Sequence, residues 1–591
     1  MSYEITSGHY TAKQTANDMI VLANFKAEIV RQTTVVVDED TKIVQFAIVG
    51  EGPSGKLPEV IVDAKKYGTM SWVDENWGAG AVIFPEPNAV AEMKTAIKIL
   101  SQNIEFETIY QHTGWIKIGG EWKYLHCGGA IGKDGNDKSV KVSLPKDLRF
   151  YELPTLTDDD LAQAKEDWNA SMSLLRLAGA DKIAPVLAAT WRACITQSDF
   201  AVHLTGRSGS FKSEVTSLMQ SHYGKEMDAR HLPGSWSSTA NSIEALAYRA
   251  KDAVFVIDDF IPVGTSWQVR QLQANADRVI RALGNQQGRA RLTDVSSLQE
   301  TMFPRGLVIS SGEDTPEGQS LRGRMIIMEL SKGDVDVKEL TAAQAKRDAL
   351  PRAMSGFIQW LARGRDAKTE SFEQMRIENR DVYQGHGHTR TPTMAADLHS
   401  AAYMWLQYGM ANAWITQEDS DKYEMEFHAA IKAACIDQTR FITESDPAEA
   451  FVKVLQTGFM AGRFHLRDVT GARPDNPSMF GWIEDTSGQT YSYKPKGTLI
   501  GWVDEQKGNV YLDSAMGYEE VRRCSAGAIT VTASTLWKRL KEAGIINAID
   551  EKRSRNTVRL TVKGVQKTVA SIALDRIVTV VEDDEQDGPQ F

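Results

Sequence analysis

The sequence predicts a multidomain α/β protein built around a mostly parallel sheet, and three observations carry that expectation. At 591 residues the chain has room for about three or four domains. Between about 180 and 335, short apolar runs ("AVHLTG", "AVFVIDDF", "GLVISSGE", "RMIIMEL") alternate with helix-length segments, the pattern of strands buried on both faces of a sheet. The first run passes through "GRSGSFKS" (206–213) into an amphipathic stretch, with Val215, Leu218, Met219 and His222 at helical spacing.

The remaining elements follow in chain order. Residues 1–150 read as an α+β domain. From about 27 to 135, strand-like runs ("TTVVVDED", "IVQFAIVG", "EWKYLHCGGAIG") flank the helical "AVAEMKTAIKILSQN". The segment 151–335 opens on a linker helix, "TDDDLAQAKEDWNASMSLLRLAG" (157–179), with Thr157 or Asp158 as its cap. Residues 336–445 are largely helical, broken by the loop-like "YQGHGHTRTPT". The last segment, 446–591, carries strands and turns, then a helix–turn–strand unit and an acidic tail, "VEDDEQDGPQF".

Composition narrows the class. Hydrophobic residues make up 42% and charged residues 25% of the chain, as in a soluble globular protein. Four widely spaced cysteines without a CxxC pair indicate neither a disulfide framework nor a zinc knuckle. No apolar run reaches the roughly 18–20 residues of a membrane span, so the expectation is a cytoplasmic protein without membrane contact. A net charge of −11 argues against a globally basic nucleic-acid coat but leaves room for local basic patches.

The glycine-serine loop has the parts of a phosphate site: inward-turned backbone N–H groups at a helix N-terminus, a lysine for the β- and γ-phosphates, and a hydroxyl for Mg²⁺. Gly206 closes the strand, Arg207, Ser208, Gly209 and Ser210 form the loop, Lys212 is the ammonium and Ser213 the hydroxyl. Phe211 departs from the G-x-x-x-x-G-K-[ST] pattern, which has glycine there; its N–H can still donate from a more restricted backbone. "AVFVIDDF" (253–260) is an apolar strand ending in two acids. Asp258 would hold Mg²⁺ directly or through water, and Asp259 would orient the attacking water. Either segment alone has a bland alternative, a polar turn or a capped strand end; the pair in this order points to ATP with Mg²⁺. "GLVISSGED" (306–314) ends in polar residues where parallel sheets place their ligands, so Ser310 or Ser311 could sense the γ-phosphate, with Glu313 a further candidate. Arg322 and Arg324 precede the next strand. Either one could complete a neighbouring subunit's phosphate site, or pair structurally at the strand start.

"TGRSGSFKSE", "HLPGSWSSTANSIEALAY" (231–248), "AVFVIDDF" and "VISSGE" together resemble the ATPase core of phage and mobile-element proteins grouped as a domain of unknown function. That group is similar to the superfamily 3 and MCM-like branch of AAA+ helicases. The resemblance extends, in patches, to "YQHTGWIKIGGEWKYLHCGGAIG" (110–132) and "GTLIGWVDEQKGNVYL" (497–512). It implies an AAA+ P-loop ATPase core, a hexameric homo-oligomer moving along DNA, and a role in replicating a phage or mobile element. It also makes Phe211 a mark of one subgroup.

DNA contacts are expected at two places. Arg289 and Arg291, in "GNQQGRARLTDVSSLQETMFPRG" (284–306), would share one face of a strand. In the branch that this chain resembles, a hairpin inserted here grips the phosphate backbone in the pore; the alternative is a surface loop with solvated arginines. Near the C-terminus, "TASTLWKRLKEAGII" (532–546) is capped by Thr532 or Ser534 and repeats Leu536, Leu540 and Ala543 on one face. With "RSRNTVRLTVKG" (553–564) it outlines a winged helix, placing Lys538, Arg539, Arg553 and Arg555 as candidate DNA contacts. From Arg522 to Lys563 ten Lys or Arg stand against three Asp or Glu, although winged helices also bind proteins. Trp115, Trp122 and Tyr124 could stack on single-stranded bases, but an aromatic sheet core is the simpler account. His386 and His388 have no acidic or cysteine neighbours that would make a metal site.

Three functions fit these features. The first is an ATP-driven helicase or translocase acting on single-stranded or forked DNA. The others are an ATP-switched DNA-bound regulator or defence sensor, and a helicase loader or initiator without processive unwinding.

Overall fold

A computed structural model describes residues 2–577 of the chain, apart from 17, 289–290, 293–297, 300–301, 386, 445, 486–491, 526, 528, 530 and 554. Arg289, His386 and the acidic tail beyond 577 lie outside the described residues, as does the side chain of Arg291. The protein is a multidomain α/β chain folded as two compact units, Met1–Pro316 with Leu321–Gln438, and Glu317–Ser320 with Thr439–Phe591. Among the described residues no helix is long and apolar enough to cross a membrane.

The first unit holds the parallel sheet. Its strands are β1 (Ala201–Thr205), β2 (Gly234–Ser235), β3 (Val254–Phe260), β4 (Leu307–Gly312) and β5 (Met325–Glu329), in the order β2-β3-β4-β1-β5. All four pairings are parallel, so every C-terminal strand end lies along one edge. β1 and β4 are buried at every position, as strands covered on both faces must be. Helix α1 (Ala180–Arg192) and helix α2 (Lys212–Ser221) pack on the sheet. Helix α3 (Ser266–Asn285) follows β3; Thr265 caps it, its hydroxyl accepting from the Gln268 N–H while the Gln268 side chain accepts from the Thr265 N–H. A two-residue ribbon, Arg291–Leu292 against Leu298–Gln299, stands where the inserted hairpin was expected.

The N-terminal part of this unit is a five-stranded sheet in which Lys26–Val36 runs antiparallel to Lys42–Gly52 and parallel to Glu105–Tyr110. Phe46, Tyr67, Trp72, Trp77, Met93 and Ile97 form its core. A three-stranded meander, Ser2–Thr6, Tyr10–Gln14 and Met19–Ala23, precedes it, ahead of the first strand-like run read from the sequence. Trp115 and Tyr124 meet edge to face at 5.3 Å and are buried. They are core residues, while Trp122 donates its indole N–H to Asp366 at 2.7 Å.

A helical layer completes the unit. Trp405, from the helix Thr391–Ala411, stacks on Trp191 of α1 with ring centres 4.6 Å apart. Beside them Arg192 and Asp397 form a fully buried ion pair at 3.1 Å, and Arg192 also donates to the Gln197 carbonyl at 3.1 Å.

Buried histidines make this unit acid-sensitive. Burial holds His112, His126, His203, His222 and His399 neutral, down to about 4 from the ordinary 6.5. The unfolded chain binds protons near 6.5 that the folded unit refuses until about 4, so stability is complete above that window and falls as pH drops through it. Urea midpoints are therefore expected to be lower at about pH 5 than at about pH 7.5. Equal midpoints would show that the histidines titrate normally.

In the second unit, the strands Phe464–Asp468, Thr498–Asp504, Asn509–Asp513, Val565–Ala573 and Ile546–Ala548 form one sheet, with Val558–Val562 pairing on Val565–Ala573. Helices Pro447–Met460, Met516–Cys524 and Ala533–Glu542 pack on it. Thr532 caps the last of these, accepting from the Thr535 N–H. Its buried face is Leu536, Trp537 and Leu540, whereas Ala543, expected on that face, is the exposed C-cap. The helix ends at Glu542, one residue before Ala543, so Ala543 caps the helix instead of packing.

Candidate nucleotide site

The "GRSGSFKS" loop leaves β1 at the C-terminal edge and enters α2 at Lys212. Gly206 is required where the loop starts: a Cβ there would lie 2.0 Å from the Leu330 carbonyl oxygen. Its N–H donates to the Gly312 carbonyl at 3.2 Å, so the loop is tied to the end of β4. Arg207, Ser208 and Gly209 are exposed, Ser210 is buried, and Ser213 is half-buried in the first turn of α2.

Phe211 does more than narrow the backbone. It is the N-cap of α2 with φ 61 and ψ 21, a left-handed conformation, and its ring is 41% exposed. Such a residue costs roughly 1–2 kcal/mol relative to a right-handed one, a cost glycine escapes. Phe211→Gly should therefore be more stable than Phe211→Ala by about 1 kcal/mol, since both remove the ring and only one removes the strain. Denaturant titration of the two variants checks it.

Lys212 is 9% exposed, and its ammonium donates to the Arg207 carbonyl at 3.1 Å and to Ser210 Oγ at 3.4 Å. Burial lowers its pKa, opposed first by Glu313 and then by Asp258 and Asp259. Asp258 and Asp259 end β3, where the register with β4 slips between Ile257 and Phe260. Asp259 also has a positive φ, 66°. Burial raises its pKa, and the neighbouring Asp258 carboxylate raises it further. Strain at both Phe211 and Asp259, on facing sides of one hollow, is the kind of local cost that collects at functional sites.

The two serines of β4 have separate partners. Ser311 donates to Asp258. Ser310 accepts from the Trp236 indole N–H at 2.8 Å and lies 3.0 Å from His203 Nδ1. His203 Nε2 is 2.9 Å from the Asp314 carbonyl. A carbonyl only accepts, so Nε2 carries the proton and Ser310 donates to Nδ1. Ser310 thus belongs to a buried polar chain beneath the sheet edge, and Glu313 is the strand-end group facing the hollow.

Lys212, Ser213, Asp258, Asp259 and Glu313 line a cavity of about 250 Å³. A larger hollow of about 720 Å³ lies on the N-terminal sheet domain, but no lysine, arginine or histidine lines it, so it does not suit a phosphate. The donor set of the first cavity is of the kind that a phosphate and Mg²⁺ take. A Cβ at Gly206 would collide with the Leu330 carbonyl, the hydrogen bonds of the buried ammonium among the described residues go to loop oxygens, and Ser213 and Asp258 offer the oxygen ligands that Mg²⁺ takes.

The arginines stand elsewhere. Arg324 lies at the N-terminal edge of β5, its carbonyl accepting from the Ala201 N–H at 3.0 Å, at the opposite end of β1 from the loop. Its side chain donates to Asn285 at 3.0 Å. Arg322 donates to the Pro316 carbonyl at 3.0 Å. In the second unit Lys538 is exposed and pairs with Glu542 at 3.7 Å. Arg553 and Arg555 are exposed on the turn before the Val558–Val562 strand.

A family model described as a domain of unknown function (DUF927) matches residues 86–301, which take in the phosphate loop and the acidic strand. No curated protein matches the sequence. Among solved structures, the SCCmec type IV Cch active helicase shares the fold, with a TM-score of 0.52 over 97% of this chain and 98% of that one at 13% identity.

Proposed function

We propose that the protein is an ATP-dependent DNA helicase or translocase of the AAA+ class, working as a homohexameric ring in the replication of a phage or mobile element. One observation carries the reading. The phosphate loop after β1, the paired acids of β3 and the polar end of β4 lie side by side at one edge of a parallel sheet, with β4 between the other two. That order sets a polar strand end between the lysine and the acids, where a γ-phosphate would lie. The similarity to a solved helicase over nearly the full length of both chains supports it.

In this reading, Lys212 holds the β- and γ-phosphates and the loop N–H groups cradle them. Ser213 and Asp258 hold Mg²⁺, with Ser311 fixing the Asp258 carboxylate. Mg²⁺, when bound, offsets phosphate charge and polarises the transferred group. Three carboxylates face one lysine, so a further cation is needed for the transition state. Arg322 or Arg324 of a neighbouring subunit would supply it; Arg324 lies at the opposite end of β1 from its own chain's loop. The ribbon at Arg291–Leu292, with Arg289 two residues before it in the sequence, would grip the backbone, and the C-terminal helix and hairpin, read as a winged helix, would bind duplex through Lys538, Arg539, Arg553 and Arg555.

Strand displacement on a forked duplex tests this. The wild-type chain should unwind with ATP, and Arg289→Ala/Arg291→Ala should reduce unwinding by an order of magnitude or more while leaving basal hydrolysis intact. ATP hydrolysis without displacement on forks of either polarity would favour the ATP-switched regulator or the loader.

A further inference from the structure

The segment "HLPGSWSST" (231–239) enters β2 and leaves it at Trp236. Gly234 and Ser235 pair in parallel with Ile257 and Asp258 of β3. A Cβ at Gly234 would meet the Val256 carbonyl oxygen at 2.9 Å, so the segment lies tight against that strand. Trp236 then makes two bonds in different directions. Its backbone N–H donates to the Asp258 carbonyl at 2.9 Å, at the strand end that carries the Mg²⁺ ligand of the ATP reading. Its indole N–H reaches past β3 to Ser310 of β4, at 2.8 Å. The Phe260 ring of β3 stands edge to face with both Trp236 and His203, at 5.9 Å and 6.1 Å, and so fills the space under this span.

The relay runs in one direction. An indole N–H can only donate, so Ser310 Oγ accepts from it and gives its own proton to His203 Nδ1 at 3.0 Å. His203 Nε2 then donates to the Asp314 carbonyl at 2.9 Å. Trp236, Ser310 and His203 are at most 1% exposed, and in so dry a place each bond strengthens the next. The relay ends on the peptide beside Glu313, which lines the cavity with Lys212, Asp258 and Asp259. Its middle member, Ser310, precedes Ser311, which donates to Asp258. Trp236 itself does not line the cavity, so any effect on rate passes through the groups it holds. We propose that Trp236 is a positioning residue for hydrolysis. Its two N–H groups set the end of β3 and, through Ser310 and His203, the end of β4 across the γ-phosphate position. The proposal rests on the reading of the cavity as an ATP site.

The test compares the full chain with Trp236→Phe, which keeps a ring and the backbone bond but loses the indole donor, with Ser310→Ala, and with the double variant. Equilibrium dialysis gives Mg-ATP affinity and occupancy, phosphate release gives turnover per occupied site, and a thermal melt reports folding. Each single variant is expected to lower turnover per occupied site by about 10–10²-fold, the scale of a small misplacement of reacting groups. Mg-ATP affinity should stay within about threefold of wild type, since the Lys212 bonds lie within the loop. The double variant should be no slower than the slower single one, because both break the same relay. Single variants whose turnover per occupied site stays within about threefold of wild type, whatever their melting temperature, overturn the proposal while the ATP site stands. So does a loss carried by Mg-ATP affinity instead of turnover, or a double variant whose loss is the product of the two single losses. If Trp236→Phe does not fold, Ser310→Ala decides by the same limits. Should the wild-type chain fail to bind or hydrolyse Mg-ATP, the nucleotide reading fails and this proposal with it.

Discussion

Lys212→Ala is expected to lower ATP hydrolysis by about 10²–10³-fold, the scale of losing one preorganised donor to the transferred charge, and to end strand displacement with it. The fold should survive the change. The ammonium is buried, yet its only hydrogen-bond partners among the described residues are the Arg207 carbonyl and Ser210 Oγ, both within the loop itself. Burial already disfavours its charge. Removing it therefore takes away a desolvated cation without opening a core contact, and the melting temperature should hold or rise. Phosphate release and a thermal melt on the same preparation separate the two effects. Hydrolysis within about threefold of wild type would remove Lys212 from the chemistry.

Arg192→Leu should act in the opposite way, through stability alone. The guanidinium and the Asp397 carboxylate are both nearly fully buried, with side-chain exposures of 2% and 3%. Breaking such a pair leaves an uncompensated charge in the interior, which costs about 3–5 kcal/mol. Two backbone carbonyls, Thr196 and Gln197, also lose their donor. Asp397 sits on the helix carrying Trp405, which stacks on Trp191, so the helical layer should loosen from α1. Arg192→Leu with Asp397→Leu should recover much of the loss, because two apolar side chains of similar shape leave no buried charge. Urea unfolding of the single and double variants measures both steps. A single variant that unfolds like wild type would mean that the pair is not desolvated.

What the sequence made legible was whatever depends on local pattern. The apolar runs "AVHLT" and "VFVIDDF" and the spacing of α2 needed only periodicity, and all three stand as strands or a helix. The convergence of loop, acids and β4 could be anticipated from their order, since parallel strands place every C-terminal end at one edge. Side-chain direction could not. In "VISSG" neither serine announces whether it faces the hollow or lies beneath the sheet edge, and the choice is made by Trp236 and His203, which are distant in sequence. The left-handed backbone of Asp259 follows from a slip between β3 and β4 that no property of "DDF" encodes. The N-terminal meander is harder to read because its strands are only five residues long and the first two are mostly polar, while its apolar contacts, Leu22 and Ala23, are made with a core formed by residues distant in sequence. Ala543 was misplaced because a repeat of apolar residues says nothing about where the last turn frays.

The hairpin Gly114–Ile118 with Glu121–His126 binds the parallel-sheet core at the turn before β3 and at Cys194. The Trp115 N–H donates to Asp252 Oδ2 at 2.9 Å, the Tyr124 hydroxyl donates to the Asp252 carbonyl at 2.7 Å, and the Trp115 indole donates to the Cys194 carbonyl at 2.7 Å. Gly114 lies so close to that turn that a Cβ would meet the Lys251 carbonyl at 2.6 Å. Asp252 immediately precedes the strand that carries the acids. A shortened chain beginning near residue 151 would thus strip two hydrogen bonds from the root of β3, a third from Cys194, and two large aromatic rings. The residues before the linker helix are part of what keeps the acidic strand in place, and a cut made at a seam of composition would sever a weld rather than a hinge.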